Sequence, residues 1–172
     1  MHLPRKIEKL ANLPKNTQFS RKIVVECRRI YRDFIVERFK KETKGSHWKA
    51  LKKSTLAARR RRGNNSRDKL VDTGELLNNL HSLVDITLLR QDKKHTGLAI
   101  GFGGRGKTHS KWVKKNGKYT KAKSDITIKQ IAEWHQHGTS KMPQRKILVR
   151  ADKETTELLR QAILKIIQQE IE

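Results

Sequence analysis

The residues best placed to do chemistry lie at 101–108, where Gly101 and Gly106 have four residues between them and are followed by Lys107 and Thr108. This spacing satisfies a phosphate-binding loop, in which backbone N–H groups wrap the phosphates, Lys107 reaches the β and γ oxygens and Thr108 binds Mg²⁺. Such a loop must feed an apolar-faced helix whose N-terminus holds the phosphates. Here 109–123 is basic, contains Asn116-Gly117 and shows no helical stripe. The 66 residues after Gly106 are also too few for the further parallel βα units of a nucleotide hydrolase. The shorter Gly101-x-Gly103-x-x-Gly106 dinucleotide pattern fails for the same want of a helix. The expectation is a basic loop tip that binds no nucleotide.

Metal and acid–base chemistry fare no better. His135 and His137 are two apart, and on a helix they point to nearly opposite sides, so they cannot easily share one ion. One cysteine and no nearby carboxylate cluster leave a zinc site without ligands. His135 reads instead as an inward, hydrogen-bonded core residue. A nuclease would need convergent carboxylates. The acids are scattered, and Asp72, Glu75 and Asp152 are explained as helix caps. No catalytic residue, metal site or cofactor is expected, so the enzyme class is set aside.

Charge is the dominant signal. Lys and Arg number 41 against 17 acids, a formal +24 in 172 residues. A globule of this length has a radius of gyration of roughly 16 Å, so like charge costs it stability and a polyanion or acidic protein would relieve the strain. The basic residues concentrate in Arg59, Arg60, Arg61 and Arg62, and again in 105–123, which holds Arg105, Lys107, Lys111, Lys114, Lys115 and Lys118 and no acid. Trp112 and Tyr119 interleave the second run, and aromatics can stack on unpaired bases. A charge run is usually a solvated face, but two acid-free runs at +24 favour DNA contact through phosphates. No base-reading element accompanies them, so contact should be independent of sequence.

Apolar residues make up only 34%, so the core should be thin and neighbouring subunits should cover part of it. Cys27 cannot form an internal disulfide and falls in an apolar stripe, which reads as a buried structural thiol. No apolar run reaches the roughly 20 residues of a membrane span. The start, 1–15, lacks the apolar stretch of a signal peptide, so export by that route is not expected.

Certain elements must carry these residues. Residues 1–16, with Pro4 and Pro14, read as a basic arm, and 17–172 as a single domain. Phe19, Ile23, Cys27, Ile30 and Phe34, widened by Val24, Tyr31 and Ile35, mark a long amphipathic helix over 17–43 that Gly45 ends. Gly63-Asn64-Asn65-Ser66 is a loop by composition. Asp72 and Glu75 have capping-box spacing around a short helix bearing Leu76, Leu77 and Leu80. Strands are expected over about 82–90 and 97–103. Asn116-Gly117 between potential strand arms signals a hairpin, so 105–124 is a basic hairpin or loop insert. Thr127 and Gln130 form a second capping box, opening a helix with Ile128, Ile131, Ala132 and His135 inward, closed by Gly138. Residues 146–150 read as a strand, and Asp152 caps a terminal helix with Leu159, Ala162, Ile163, Ile166 and Ile167 on one face. The order implies an α+β fold, a small and mostly antiparallel sheet packed against long amphipathic helices.

Several short motifs in this order resemble the phage virion morphogenesis family, the tail-completion or neck proteins of Mu-like and related tailed phages. They are Trp48-x-x-Leu51-x-x-Ser54-Thr55, then 70–76 (Leu-Val-Asp-Thr-Gly-Glu-Leu) and Ile100-Gly101. After these come 131–138 (Ile-Ala-Glu-Trp-His-Gln-His-Gly) and 142–148 (Met-Pro-Gln-Arg-Lys-Ile-Leu). The resemblance covers about 46–150 and implies structural duties for Trp48, Thr73, Gly74, His135, Gln136, Gly138, Pro143 and Arg145. It implies a non-enzymatic virion protein, assembled in the host cytoplasm, that forms a homo-oligomeric ring at the head–tail junction around or beside the DNA path. Six copies are expected, with twelve the alternative.

Six copies carry roughly 144 formal charges, whereas DNA crossing a ring roughly 30 Å tall presents about 18 phosphates. Most of the excess must therefore meet acidic faces on connector, portal-side, tail-tube or terminator proteins, or stay solvated. A different class, a free sequence-independent DNA- or RNA-binding accessory protein, is the alternative.

Overall fold

The computed structural model describes residues 17–90, 96–103 and 108–171. It has five helices and two small antiparallel sheets among those residues, an α+β fold. The chain starts with α1 (Thr17–Lys44), α2 (Lys53–Arg61) and α3 (Glu75–Leu83). Strands β1 (Val84–Arg90), β2 (Thr96–Phe102), β3 (Thr108–Lys115) and β4 (Lys118–Thr127) follow, then α4 (Ile128–His137) and α5 (Lys153–Ile171). The antiparallel content is divided: β1 pairs with β2 in one ribbon and β3 with β4 in another. The expected basic arm 1–16 lies outside the described residues.

By contact density the chain divides into two compact units. One gathers the described residues through Phe34, Asp85–Gly101 and those from Arg150 on. Among its described residues Phe19, Cys27, Tyr31 and Ile86 are buried and apolar. Arg28 stitches it, donating to the Ile86 carbonyl at 2.8 Å and pairing with Asp85 at 2.8 Å; Lys22 pairs with Glu170. Cys27 is 1% exposed, and burial pushes its thiol up, which keeps it protonated and inert. Asp152 caps α5 as expected, accepting from the Thr155 N–H at 2.8 Å.

The other unit holds Ile35–Val84 and Phe102–Val149. Its core comprises Ile35, Val36, Phe39, Trp48, Leu76, Leu80, Leu83, Val84, Ile128, Ala132 and Ile147. Trp48 meets Phe39 edge-on, with ring centroids 5.4 Å apart. The second capping box forms in full: Thr127 Oγ1 accepts from the Gln130 N–H at 3.2 Å, and Gln130 Oε1 accepts from the Thr127 N–H at 2.8 Å. Gly138 closes α4 at φ +78°, where a Cβ would stand 3.1 Å from the Gln144 nitrogen, so a side chain is excluded both by conformation and by space.

Three expectations need correction. No capping box forms at Asp72 and Glu75; the N-cap of α3 is Gly74, in the left-handed region and without a side-chain cap. Asp72 is drawn off by Arg62 and Asn64, and Glu75 by Ser110 and His109. Second, α2 had no counterpart in the sequence reading. Its last turn is Arg59, Arg60 and Arg61, so part of the first basic run is helical. Third, 146–150 is not a strand. No strand among the described residues pairs with it, and side chains engage the backbone of 146–148 instead.

Candidate binding cleft and basic hairpin

Gln136 is the side chain that replaces the missing strand. Its Oε1 accepts from the N–H groups of Ile147 and Leu148, both at 2.9 Å, and its Nε2 donates to the Leu148 carbonyl at 3.0 Å. From α1, Arg38 Nη1 donates to the carbonyls of Lys146 and Ile147. The Arg145 N–H donates to the His135 carbonyl at 2.7 Å. The tail of α4 and the segment after Pro143 are thus laced together.

This lacing shapes one wall of an open cleft of ≈ 540 Å³. Its lining comes from widely separated stretches: Leu51 and Thr55, then Leu70, Asp72, Thr73 and Leu76, then Ile131 and His135, and Met142, Pro143 and Arg145. Four of the five motif stretches named above therefore meet at one place. Among the motif residues, Trp48 is buried behind this region, Thr73, His135, Pro143 and Arg145 line the cleft, and Gly74, Gln136 and Gly138 set the backbone around it.

The cleft is electrostatically unusual. Arg59 and Arg145, 4% and 5% exposed, both line it. Arg59 Nη1 donates to the carbonyls of Ser66 and Asp68, and Arg145 Nη2 donates to the Lys49 carbonyl at 3.1 Å. Burial holds both guanidiniums below their usual range; Arg59 adds repulsion at Arg145, while at Arg59 the Asp72 charge pulls the other way. His135 is lowered to about 4, by burial and then by Arg145, and so is neutral near pH 7. It faces inward as expected, but Nδ1 is buried without a hydrogen-bond partner among the described residues. Among the described residues no group of three or more His, Cys, Asp or Glu could hold a metal ion.

The second feature is the β3–β4 hairpin. Its turn residues Asn116 and Gly117 have φ of +50° and +79°, the positive values a tight two-residue turn requires. Register places Lys115 opposite Lys118, Lys114 opposite Tyr119 and Trp112 opposite Lys121. Lys111, Lys115 and Lys118 therefore share one face, and Lys114, Lys121 and Lys123 the other. Neither face offers a continuous apolar surface: every residue from Lys114 to Lys121 is exposed. No ion pair engages these six lysines among the described residues. Trp112 anchors the base of the ribbon, with Arg62 and Lys121 each 5.6 Å from its ring centroid. Glu75 ties the same base to α3: the Ser110 N–H donates to Oε2 at 3.0 Å and His109 Nδ1 lies 2.8 Å from it.

The sequence-derived DNA-contact residues are thus scattered in role. Arg60 and Arg61 are exposed, as are Lys111, Lys114, Lys115 and Lys118. Arg59 is a correction, since a guanidinium buried to this degree cannot face a duplex. Arg62 is half-buried and spends Nη2 on Asp72 at 3.0 Å. Arg105 and Lys107 lie outside the described residues. Thr108 opens β3 and not a helix, so the chain after the glycine-rich stretch lacks the helix a phosphate loop needs. Sequence reasoning missed the interior role of Arg59. A signal existed, because Leu56 and Arg59 are three apart and share one face of α2.

No protein-family model matches this chain, and comparison with curated proteins and with solved structures also gives no significant match.

Proposed function

We propose that this chain is a non-enzymatic structural protein of a tailed-phage particle, closing into a ring at the head–tail junction with its hairpin turned toward DNA or an acidic neighbour. The observation that carries the reading is the hairpin: six lysines on two exposed faces, with Lys115 directly across from Lys118. Like charges opposed on a ribbon destabilise it, and a two-stranded hairpin is marginal by itself in water. Such an element gains order when a polyanion or acidic surface neutralises it.

Two further features support the assembly reading. Four of the five motifs that carry the family resemblance converge on one cleft and its lacing, as structural signatures should. Val25, Leu158 and Leu164 are exposed in one unit and Trp134 in the other, which leaves apolar surface for neighbours. Among the described residues no helix is long and apolar enough to cross a membrane.

Light scattering of the full chain, with and without short duplex DNA, tests the proposal. The expected mass is six or twelve times the 20.1 kDa chain, with the same species present in purified particles. A monomer at every concentration that coats nucleic acid and is missing from particles would instead establish the free accessory protein.

A further inference from the structure

Among the described residues, the cleft holds more buried positive charge than its own acid can answer. Asp72 is the acid in its lining, and that carboxylate is already committed. Arg62 Nη2 donates to Oδ2 at 3.0 Å and Asn64 Nδ2 to Oδ1 at 3.2 Å. Arg59 Nε stands 3.5 Å from Oδ1, close enough for charge attraction, yet it lacks the geometry of a hydrogen bond. Arg145 has no acid paired with it among the described residues: Nη2 donates to the Lys49 carbonyl, and the nearby Arg59 charge repels it. The Nε atoms of both arginines are buried without hydrogen-bond partners, and so is Nδ1 of His135. A buried guanidinium lacking an anion is among the costliest arrangements in a protein interior. All three residues line the cleft, and buried positive charge left unanswered beside an open cavity marks a place where an anionic ligand completes the set.

The remaining wall says what the anion is attached to. Leu51, Leu70, Ile131 and Met142 give the cleft an apolar side, while Lys52 and Lys141 are exposed at its rim. Inorganic phosphate would meet the arginines and leave that apolar side wet. A DNA duplex carries its charge on a polar backbone and is far wider than a cleft of ≈ 540 Å³. This volume lies in the range that encloses a small organic ligand or one inserted side-chain cluster.

We propose that the cleft is a binding site for a carboxylate carried on an apolar body, with Arg145 and Arg59 taking the carboxylate and Leu51, Ile131 and Met142 covering the body. Guanidinium suits this task because it is weakly hydrated and grips a carboxylate through parallel N–H groups. A free organic acid presents this chemistry, and so does an Asp or Glu flanked by apolar residues on another protein. The site does not depend on the ring reading and would stand if the chain proved monomeric.

Calorimetry on the full chain tests it with four probes: 4-phenylbutyrate, 4-phenylbutanol, inorganic phosphate, and a Gly-Leu-Glu-Leu-Gly peptide blocked at both ends. Saturable binding of phenylbutyrate or the peptide at least tenfold tighter than of phenylbutanol and phosphate supports the site. The tighter of the two carboxylates identifies its source. The Arg59 and Arg145 Nε resonances should move on saturation. Arg145→Met removes the central cation but could impair folding, so Lys141→Glu and Met142→Ala at the mouth carry the control, each weakening the carboxylate at least threefold. Equal binding of phosphate, no saturable carboxylate binding, or unchanged affinity in both mouth variants would overturn the proposal.

Discussion

The cleft and the hairpin spend positive charge in opposite ways. Around the cleft, Arg59 and Arg145 are buried, each holding backbone carbonyls with part of its fork. On the hairpin, six lysines stand in solvent with no acid engaged among the described residues. Arginine suits the first task, with several donors in a planar fork and a weakly held hydration shell, and lysine the second, a strongly hydrated charge on a mobile stem. A basic run in a sequence is therefore no single object. Part of it can be mortar and part of it surface.

The comparison can be broken most severely at Gln136. Gln136→Leu removes all three bonds to 147–148 and leaves backbone groups near the cleft unsatisfied, so denaturant unfolding should show a loss of about 3 kcal/mol. A loss below ~1 kcal/mol would mean that the lacing does not hold the cleft wall. Acid is the next probe. His135 is lowered to about 4 in the fold from 6.5, so as pH falls through 6.5 the unfolded chain takes up a proton that the native state refuses. Stability should then decline by up to ~3 kcal/mol between pH 6.5 and 4, with nothing lost above 6.5. Urea midpoints at pH 7, 5.5 and 4 read this directly, and His135→Phe should flatten the decline.

Glu75 adds a separate fall below its ordinary range. Burial pushes its carboxyl up, but the Ser110 bond and His109 outweigh this and hold it down, so its contribution is present above 4.5 and lost as pH drops further. Gly138→Ala should cost about 2 kcal/mol, because a methyl meets both the positive φ and the Gln144 backbone. The smallest effect belongs to the hairpin. Lys115→Glu should raise thermal stability slightly, by about 0.5 kcal/mol, by replacing repulsion at Lys118 with attraction. It should also weaken binding to a random duplex and reduce the salt slope by about 2, since one cation becomes an anion. Salt-independent binding by the parent chain would remove the hairpin from the DNA path.

What could be read from the sequence was whatever is encoded over a few neighbouring residues. The stripe from Phe19 to Ile35 announced α1, Thr127 with Gln130 announced the start of α4, and Asn116-Gly117 announced the turn between β3 and β4. Each is a local contract between residues three or four apart or side by side. The misreadings share the opposite property. Asp72 and Glu75 have the spacing of a cap, but each found a stronger partner 10 to 35 residues away in Arg62 and Ser110. Residues 146–150 have the composition of a strand, but Gln136, 11 residues before Ile147, and Arg38, more distant still, hold its backbone instead. The cleft could not be read at all, since nothing local says that Arg59 and Arg145 face a common space.

Held between Gln136 and Arg38, the stretch 146–148 has its three carbonyls and the N–H groups of Ile147 and Leu148 engaged by side chains. Extended backbone with open donors and acceptors invites a foreign strand to add on, which is how sheets recruit unwanted neighbours. Here two side chains fill those positions permanently. The chain thereby keeps one adhesive segment quiet without building a further strand to cover it.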